Sequence, residues 1–263
     1  MAFAYPSGAA EATDSAYDGF SRADGPGWRT SGSGARWMFP NGNGGFAIVR
    51  REGMIRHART ATPKLAMLNV KLRDTAVLFS LGLEPGSAGP SPKAVAVVRK
   101  SKAGEYRFGV RVGTGGKVWL SIAKSRAGRK AKGLGQPVMV RGLRYRLGDK
   151  LRVVAQALKR NPTQLRMKVW KIGTEAPSNW PIVRNDGSRD TEARGRMGFM
   201  SIPTGKRRVT TGLRFDDLIV KPAKRAKRTK VAPPADSPRG LGDKPNKDSS
   251  GSSSGNHSES RAA

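Results

Sequence analysis

No cysteine occurs in the 263 residues, and only two histidines do, His57 and His257. The first absence excludes disulfide staples and thiolate metal sites. The second leaves little room for histidine-rich metal centres or a histidine-based triad. Acid is scarce as well: 19 Asp and Glu stand against 50 Lys and Arg, a formal net charge of +31. Long apolar runs are missing. No stretch approaches the ~18 apolar residues that cross a bilayer as a helix, so no membrane is expected as a partner. The opening segment Met1–Phe20 has neither a basic start nor a continuous apolar stretch, which argues against a Sec-type signal. A chain without disulfides must be held by its core, and this length supplies one.

A folded body this basic repels itself unless a polyanion or an acidic partner is near. Nucleic acid, anionic cell-wall polymers and acidic protein surfaces are the candidates. The plainer reading is an arginine-rich composition selected for solubility. Residues 221–263 hold ten Lys and Arg against four Asp and Glu, so most of the excess lies in the body and not in the tail.

What the chain does have is alternation. In "EYRFGVRVGTGGKVWLSIAKS", Tyr106, Phe108, Val110 and Val112 share one face, while Arg107 and Arg111 share the other. "GTGG" offers a turn that tolerates positive φ. The next strand sets Val118, Leu120 and Ile122 against Trp119 and Ser121. This spacing predicts a hairpin. Further strands are expected over 68–73, 94–100, 150–159, 164–172, 195–202 and 213–220, with two or three more in "ARWMF" and "FAIVRREGMIRHA". Ten or more strands without an amphipathic helix imply an all-β sandwich or barrel. Residues 1–16 read as a flexible leader and 17–221 as the sandwich domain. Residues 222–263 read as a basic tail, too poor in large apolar side chains to offset its ordering entropy and so expected to be disordered.

The order of "DGFSRADGPGW", the hairpin, "GLRYRLGDKLRV", "LRMKVWKIGTEAPSNW", "GRMGFMSI" and a terminal "RFDDLIV" resembles the concanavalin A-like lectin/glucanase superfamily. More narrowly, it is similar to the laminin G-like domains of actinobacterial surface proteins and of their phages. The resemblance implies a jelly-roll of two antiparallel sheets whose first and last strands pair. That pairing brings Asp18 near Asp216 or Asp217. In related domains such carboxylates bind a structural calcium, and hard oxygen ligands suit that ion. Asp217 falls on the strict period-2 face of Phe215 and Ile219, so one of the two aspartates is expected to point inward and to need compensation. Calcium is one answer; an ion pair, or hydrogen bonds to backbone amides at a bend, is the other.

Glucanases of the superfamily place two carboxylates on a Glu-x-Asp-x-x-Glu strand, flanking the glycosidic bond. That spacing is missing here, "DTE" at Asp190 to Glu192 lies in a loop-like stretch, and His57 reads as a surface residue. No nucleophile with a base is apparent, and the expectation is a protein that is not an enzyme. Trp28, Trp170 and Trp180 lie in the motifs that carry the resemblance and read as packing residues. Trp119 with Arg107 and Arg111, joined by Arg166 and Lys168 beside Trp170, reads as a basic sheet face. Such a face suits an anionic glycan or nucleic acid, or is a solvated outer face whose arginine stems cover apolar surface. Lys221, Lys224, Arg225, Lys227, Arg228 and Lys230 form a basic run suited to docking on an acidic surface or to nonspecific phosphate contact.

Three functional readings follow. The first is a non-catalytic structural protein of a phage virion, a decoration or minor tail component that contacts a host surface glycan or another virion protein and forms a homo-oligomer. The second is a bacterial glycan-binding adhesion module at the cell surface, taking an anionic or neutral glycan. The third is a basic protein packaged with DNA.

Overall fold

The computed structural model describes residues 15–57, 62–84, 91–159, 161–188, 191, 193–204 and 211–223. Seventeen strands run through them: β1 (Ala16–Asp18), β2 (Gly25–Pro26), β3 (Trp37–Met38), β4 (Phe46–Val49), β5 (Glu52–His57), β6 (Lys64–Leu72), β7 (Thr75–Leu83), β8 (Lys93–Lys100), β9 (Gly104–Val112), β10 (Lys117–Arg126), β11 (Lys132–Gly133), β12 (Val138–Arg144), β13 (Leu151–Leu158), β14 (Thr163–Lys171), β15 (Ile182–Asp186), β16 (Gly195–Ile202) and β17 (Thr211–Pro222). They form two antiparallel sheets. The first has the order β15-β14-β13-β7-β17-β5-β4-β2, with β1 on β17; the second has the order β11-β10-β9-β8-β16-β6-β3, with β12 on β10. The first and last strands pair, Asp18 lying opposite Leu218. The chain is an all-β, two-sheet jelly-roll sandwich.

The hairpin shows why. β9 and β10 register Val110 on Leu120 and Phe108 on Ile122. Their inward rows are buried in one core that both sheets share. The turn needs glycine: Gly115 and Gly116 have φ of 65° and 71°, and a Cβ on Gly116 would lie 2.2 Å from the Tyr145 carbonyl oxygen. Residues with a Cβ rarely occupy that region.

At one end of the core Phe20, Trp28, Trp37, Phe46, Phe199 and Phe215 pack edge to face or stacked, Trp28 lying within 6.3 Å of each of the other five. The Trp28 indole donates to the carbonyls of Ala47 and Met54, both at 3.1 Å, so its one polar atom is satisfied in the interior. Trp28 is thus the packing residue its motif implies.

β7 is a strand that alternation does not reveal. It lies between β13 and β17 and is buried on both faces from Thr75 to Gly82. Its sequence therefore reads as a continuous apolar run, which periodicity alone does not assign.

The β4–β5 hairpin turns on Arg50 and Arg51, both at positive φ (52° and 59°), between the paired residues Val49 and Glu52. A two-residue loop with both φ positive is a type I′ turn, which favours Asn-Gly. Holding two arginines there costs about 1 kcal/mol or more apiece. Arg50→Asn with Arg51→Gly is expected to raise stability by about 1–2 kcal/mol; an unchanged or lower urea midpoint would refute this account of the turn.

Candidate functional site

The outer face of the second sheet carries the first half of the basic face expected from sequence. β8, β9 and β10 turn alternate side chains outward. Arg107 lies opposite Val97 and Ala123, Gly109 opposite Val95 and Ser121, and Arg111 opposite Trp119. The middle of this face is built from small residues, Gly109, Ser121, Ala123 and Gly133. With Lys93, Arg107, Gln136 and Ile202 they line a trough of about 700 Å³. Space is tight at its floor: a Cβ on Gly109 would come within 2.6 Å of Ser121 Oγ and 2.9 Å of Lys93 Cδ. One shoulder is apolar, where Leu65, Met67, Val95, Val97 and Met200 form a buried cluster on the same face.

Lys93 is the residue that sequence reading missed. It precedes the alternating run "AVAVV" and has the parity of Val95 and Val97. The pairing of Ala94 with Val110 puts it opposite Arg111. Burial, Arg111 and Arg107 together hold its ammonium below the usual lysine range. Arg107 is partly compensated by Glu105, at 2.6 Å, a carboxylate that also pairs with Lys100. Lys93 and Arg111 have no acidic partner among the described residues. Trp119 is half-buried beside Arg111.

Arg166 and Lys168 do not join this face. They lie on β14, in the first sheet, so the sandwich separates them from Arg107, Arg111 and Trp119. The cause is topological: side-chain parity gives a face, not a sheet. Their own face is covered by the β14–β15 connection. The Lys168 ammonium donates to the Pro177 carbonyl at 2.7 Å and lies 5.6 Å and 5.3 Å from the rings of Trp170 and Trp180. The Arg166 guanidinium is 4.3 Å from the Trp180 centroid and donates to Gln156 at 2.8 Å. Trp170 and Trp180 close a small apolar cluster of Leu78, Val154 and Ile219. They pack, but on the outer side of the sheet and not in the main core.

The acidic residues also arrange differently from expectation. Asp216 pairs with Ser80 and Ile219 with Leu78, so two residues of β17 oppose one of β7. This is a β-bulge, with Asp217 at φ 49°. The extra residue resets the parity: Phe215 and Leu218 both enter the core, while Ile219 packs outside. Neither aspartate points inward. Asp217 accepts from Ser80 at 2.7 Å and pairs with Arg152 at 3.1 Å. Burial pushes the Asp216 carboxyl up and the neighbouring Asp217 charge adds to this, while the Asp217 amide and Lys150 oppose it.

Of the three aspartates the buried one is Asp18, fully enclosed. Its Oδ1 accepts from the Phe20 amide (2.9 Å) and Arg22 Nη1 (2.7 Å); its Oδ2 accepts from Arg22 Nη2 (2.9 Å) and Trp37 Nε1 (2.7 Å). All three aspartates line one cavity of about 460 Å³ with Glu52, Lys150 and Arg22. Four donors already occupy the Asp18 oxygens, and Lys150 also reaches Glu52 at 2.6 Å. This donor set does not fit calcium, which needs oxygens free to ligate. The ion-pair reading is the one these residues fit.

His57 is not on the surface. It is 1% exposed, and its Nε2 lies 2.7 Å from Ser201 Oγ, across to the second sheet. Lys221 lies in β17, opposite Ala76. Lys224, Arg225, Lys227, Arg228 and Lys230 fall outside the described residues, as do Asp190 and Glu192.

No protein-family model and no curated protein matches the chain. Solved structures do. An alginate lyase, Aly36B, aligns over 80% of this chain and 97% of its own at a TM-score of 0.51 and 9% identity. A structure from work on endo-acting O-glycanases of the human gut microbiota that initiate mucin breakdown aligns over 79% and 98%, at 0.51 and 8%. The carbohydrate-binding module CBM66 from Bacillus subtilis aligns over 70% and 94%, at 0.48 and 12%. At these identities the first two establish the fold alone, a two-sheet antiparallel β-sandwich. The likeness also corrects the expectation that the chain is not an enzyme. An alginate lyase has this same architecture, so a missing Glu-x-Asp-x-x-Glu strand excludes one catalytic arrangement and not catalysis on glycans.

Proposed function

We propose that the chain is a glycan-binding sandwich whose trough on the second sheet takes a carboxylated saccharide. One observation carries this reading. Lys93 is desolvated between Arg107 and Arg111 on the floor of an open trough, with no acidic partner among the described residues. Like charges held together cost free energy unless a counter-charge arrives. A carboxylate seated there would relieve that cost. Trp119 beside Arg111 offers an apolar ring face to a sugar, and Ser121 and Gln136 offer hydrogen bonds to hydroxyls. The sandwich likeness to a lyase that acts on alginate, a polyuronate, supports the same ligand class. It favours the glycan-binding alternative over the virion reading.

Calorimetric titration with alginate oligosaccharides tests this. Binding is expected for these and not for neutral glucans of equal length. Lys93→Gln is expected to weaken it at least about tenfold, since a group that meets the ligand's charge in a desolvated site is worth more than a rim charge. The lowered pKa of Lys93 adds a signature. Its positive charge, and with it the affinity, is lost at a lower pH than the ~10.5 of free lysine, and binding in that window takes up a proton. Equal affinity for neutral glucans, or an unchanged Lys93→Gln variant, would overturn the proposal. Following chain length of the saccharide in the same mixtures reads whether the site also cleaves.

A further inference from the structure

We infer that the binding surface runs on from the trough, across β12, into the groove between β12 and the β14–β15 connection, so that its ligand is a polymer of carboxylated sugars and not a mono- or disaccharide. This rests on the glycan reading of the trough.

The continuity is a matter of register. Lys93 lies opposite Arg111, Arg111 opposite Trp119, and Trp119 opposite Met139. One row of outward side chains therefore crosses β8, β9, β10 and β12 without a break. Three strand intervals of about 4.8 Å make this row on the order of 14 Å long, more than a disaccharide covers. Its far end is unusually open. Met139 is one of three large apolar side chains that stay exposed among the described residues, at 39%.

Beyond Met139 the surface turns into a groove of about 800 Å³. Trp170 lines it, half-buried and far along the chain from Trp119. Arg141 and Arg146 line it from the other side, both exposed. Arg144 is held to the hairpin turn by the Gly115 carbonyl at 3.1 Å. Among the described residues Glu175 is the one acid on the walls, so the groove carries the same sign of charge as the trough. β12 pairs with β10 alone, which leaves its far edge without a strand partner among the described residues. Backbone N–H and C=O groups there are available to sugar hydroxyls.

Aromatic faces separated by cations and by a polar backbone edge match a chain of rings that each carry a carboxylate. Nucleic acid of similar length asks instead for successive aromatic platforms along the strand, whereas the row supplies Trp119 and the groove beyond it supplies Trp170.

The test is a length series of alginate oligosaccharides, disaccharide to octasaccharide, titrated into the full chain and into two variants. Affinity is expected to rise with length and then level off once the groove is filled. Arg141→Gln with Arg146→Gln is expected to weaken the octasaccharide about tenfold and leave the disaccharide unchanged, whereas Lys93→Gln weakens both. If the disaccharide binds through Lys93 but longer chains bind no tighter, the extension is wrong and the trough stands. If no alginate oligosaccharide binds, the glycan reading itself fails. Tighter binding of a single-stranded oligonucleotide or an acidic peptide of matching length overturns the choice of polymer.

Discussion

Asp18→Asn is expected to lower the unfolding free energy by about 3–5 kcal/mol. Asp18 is fully enclosed, and its two oxygens receive four donors. The bidentate arm is Arg22, which also donates to the Trp28 carbonyl at 2.6 Å. An asparagine keeps the shape but replaces one acceptor with an amide donor. That nitrogen then faces an Arg22 guanidinium nitrogen together with either the Phe20 amide or the Trp37 indole, and those two donors lose their acceptor. Breaking one side of a buried charge pair costs more than the pair contributes, because the other charge stays desolvated. The position magnifies this effect. Asp18 stands where β1 joins β17 at Leu218, and its partner Trp37 is 4.8 Å from the Trp28 ring centroid. The carboxylate thus ties the closure of the first sheet to the aromatic end of the core.

Urea denaturation near neutral pH measures the loss. A midpoint within experimental scatter of wild type would show that water substitutes for the carboxylate. Removing both charges, Asp18→Asn with Arg22→Leu, is expected to recover part of the stability lost by Asp18→Asn alone. If ion pairing is the whole account, added calcium and added chelator leave the wild-type midpoint where it is. A rise in midpoint with calcium would reinstate a metal at this joint.

The role of Asp18 was only half legible in the sequence. The resemblance pointed to a joint between first and last strands, and β1 does pair with β17. Which acid is buried there was not legible. A period-2 reading of "RFDDLIV" assumes an unbroken strand, whereas the bulge at Asp217 inserts one residue and exchanges the faces beyond it. Long-range pairing with β7 sets that bulge. The hairpin β9–β10 was legible because one of its faces is apolar and the other is not. β7 was hidden for the opposite reason, being apolar on both faces. The trough shows the same limit. Parity found Arg107, Arg111 and Trp119 on one face, and it grouped Arg166 and Lys168 with them because strand parity carries no information about sheet membership. Lys93 carried a weak signal, its parity with Val95 and Val97, but its partner Arg111 becomes visible only when β8 is placed beside β9.

His57 supplies the other large expected effect, an acid-linked loss of stability that a surface histidine does not produce. Burial, with the charge of Lys64 as a second cause, lowers its pKa to about 4. Its Nδ1 has no hydrogen-bond partner among the described residues, and its Nε2 faces Ser201, so these residues have nothing to offer a second ring proton. The unfolded chain binds that proton near pH 6.5. Between about pH 6.5 and about pH 4 the unfolded state therefore holds more protons than the folded one, and stability falls as pH falls. The slope is about 1.4 kcal/mol per pH unit, and the whole window amounts to about 3 kcal/mol. Above pH 6.5 the contribution is complete and flat. His57→Gln retains a donor for Ser201 and removes the titration. Urea unfolding of both proteins at about pH 7 and about pH 5 separates this effect from the carboxylates, which titrate alike in the two. The wild-type protein is expected to lose about 2 kcal/mol more than the variant over that interval. Equal losses would mean that His57 gains a proton while folded, through an opening that lets water reach Nδ1 at the end of the sandwich.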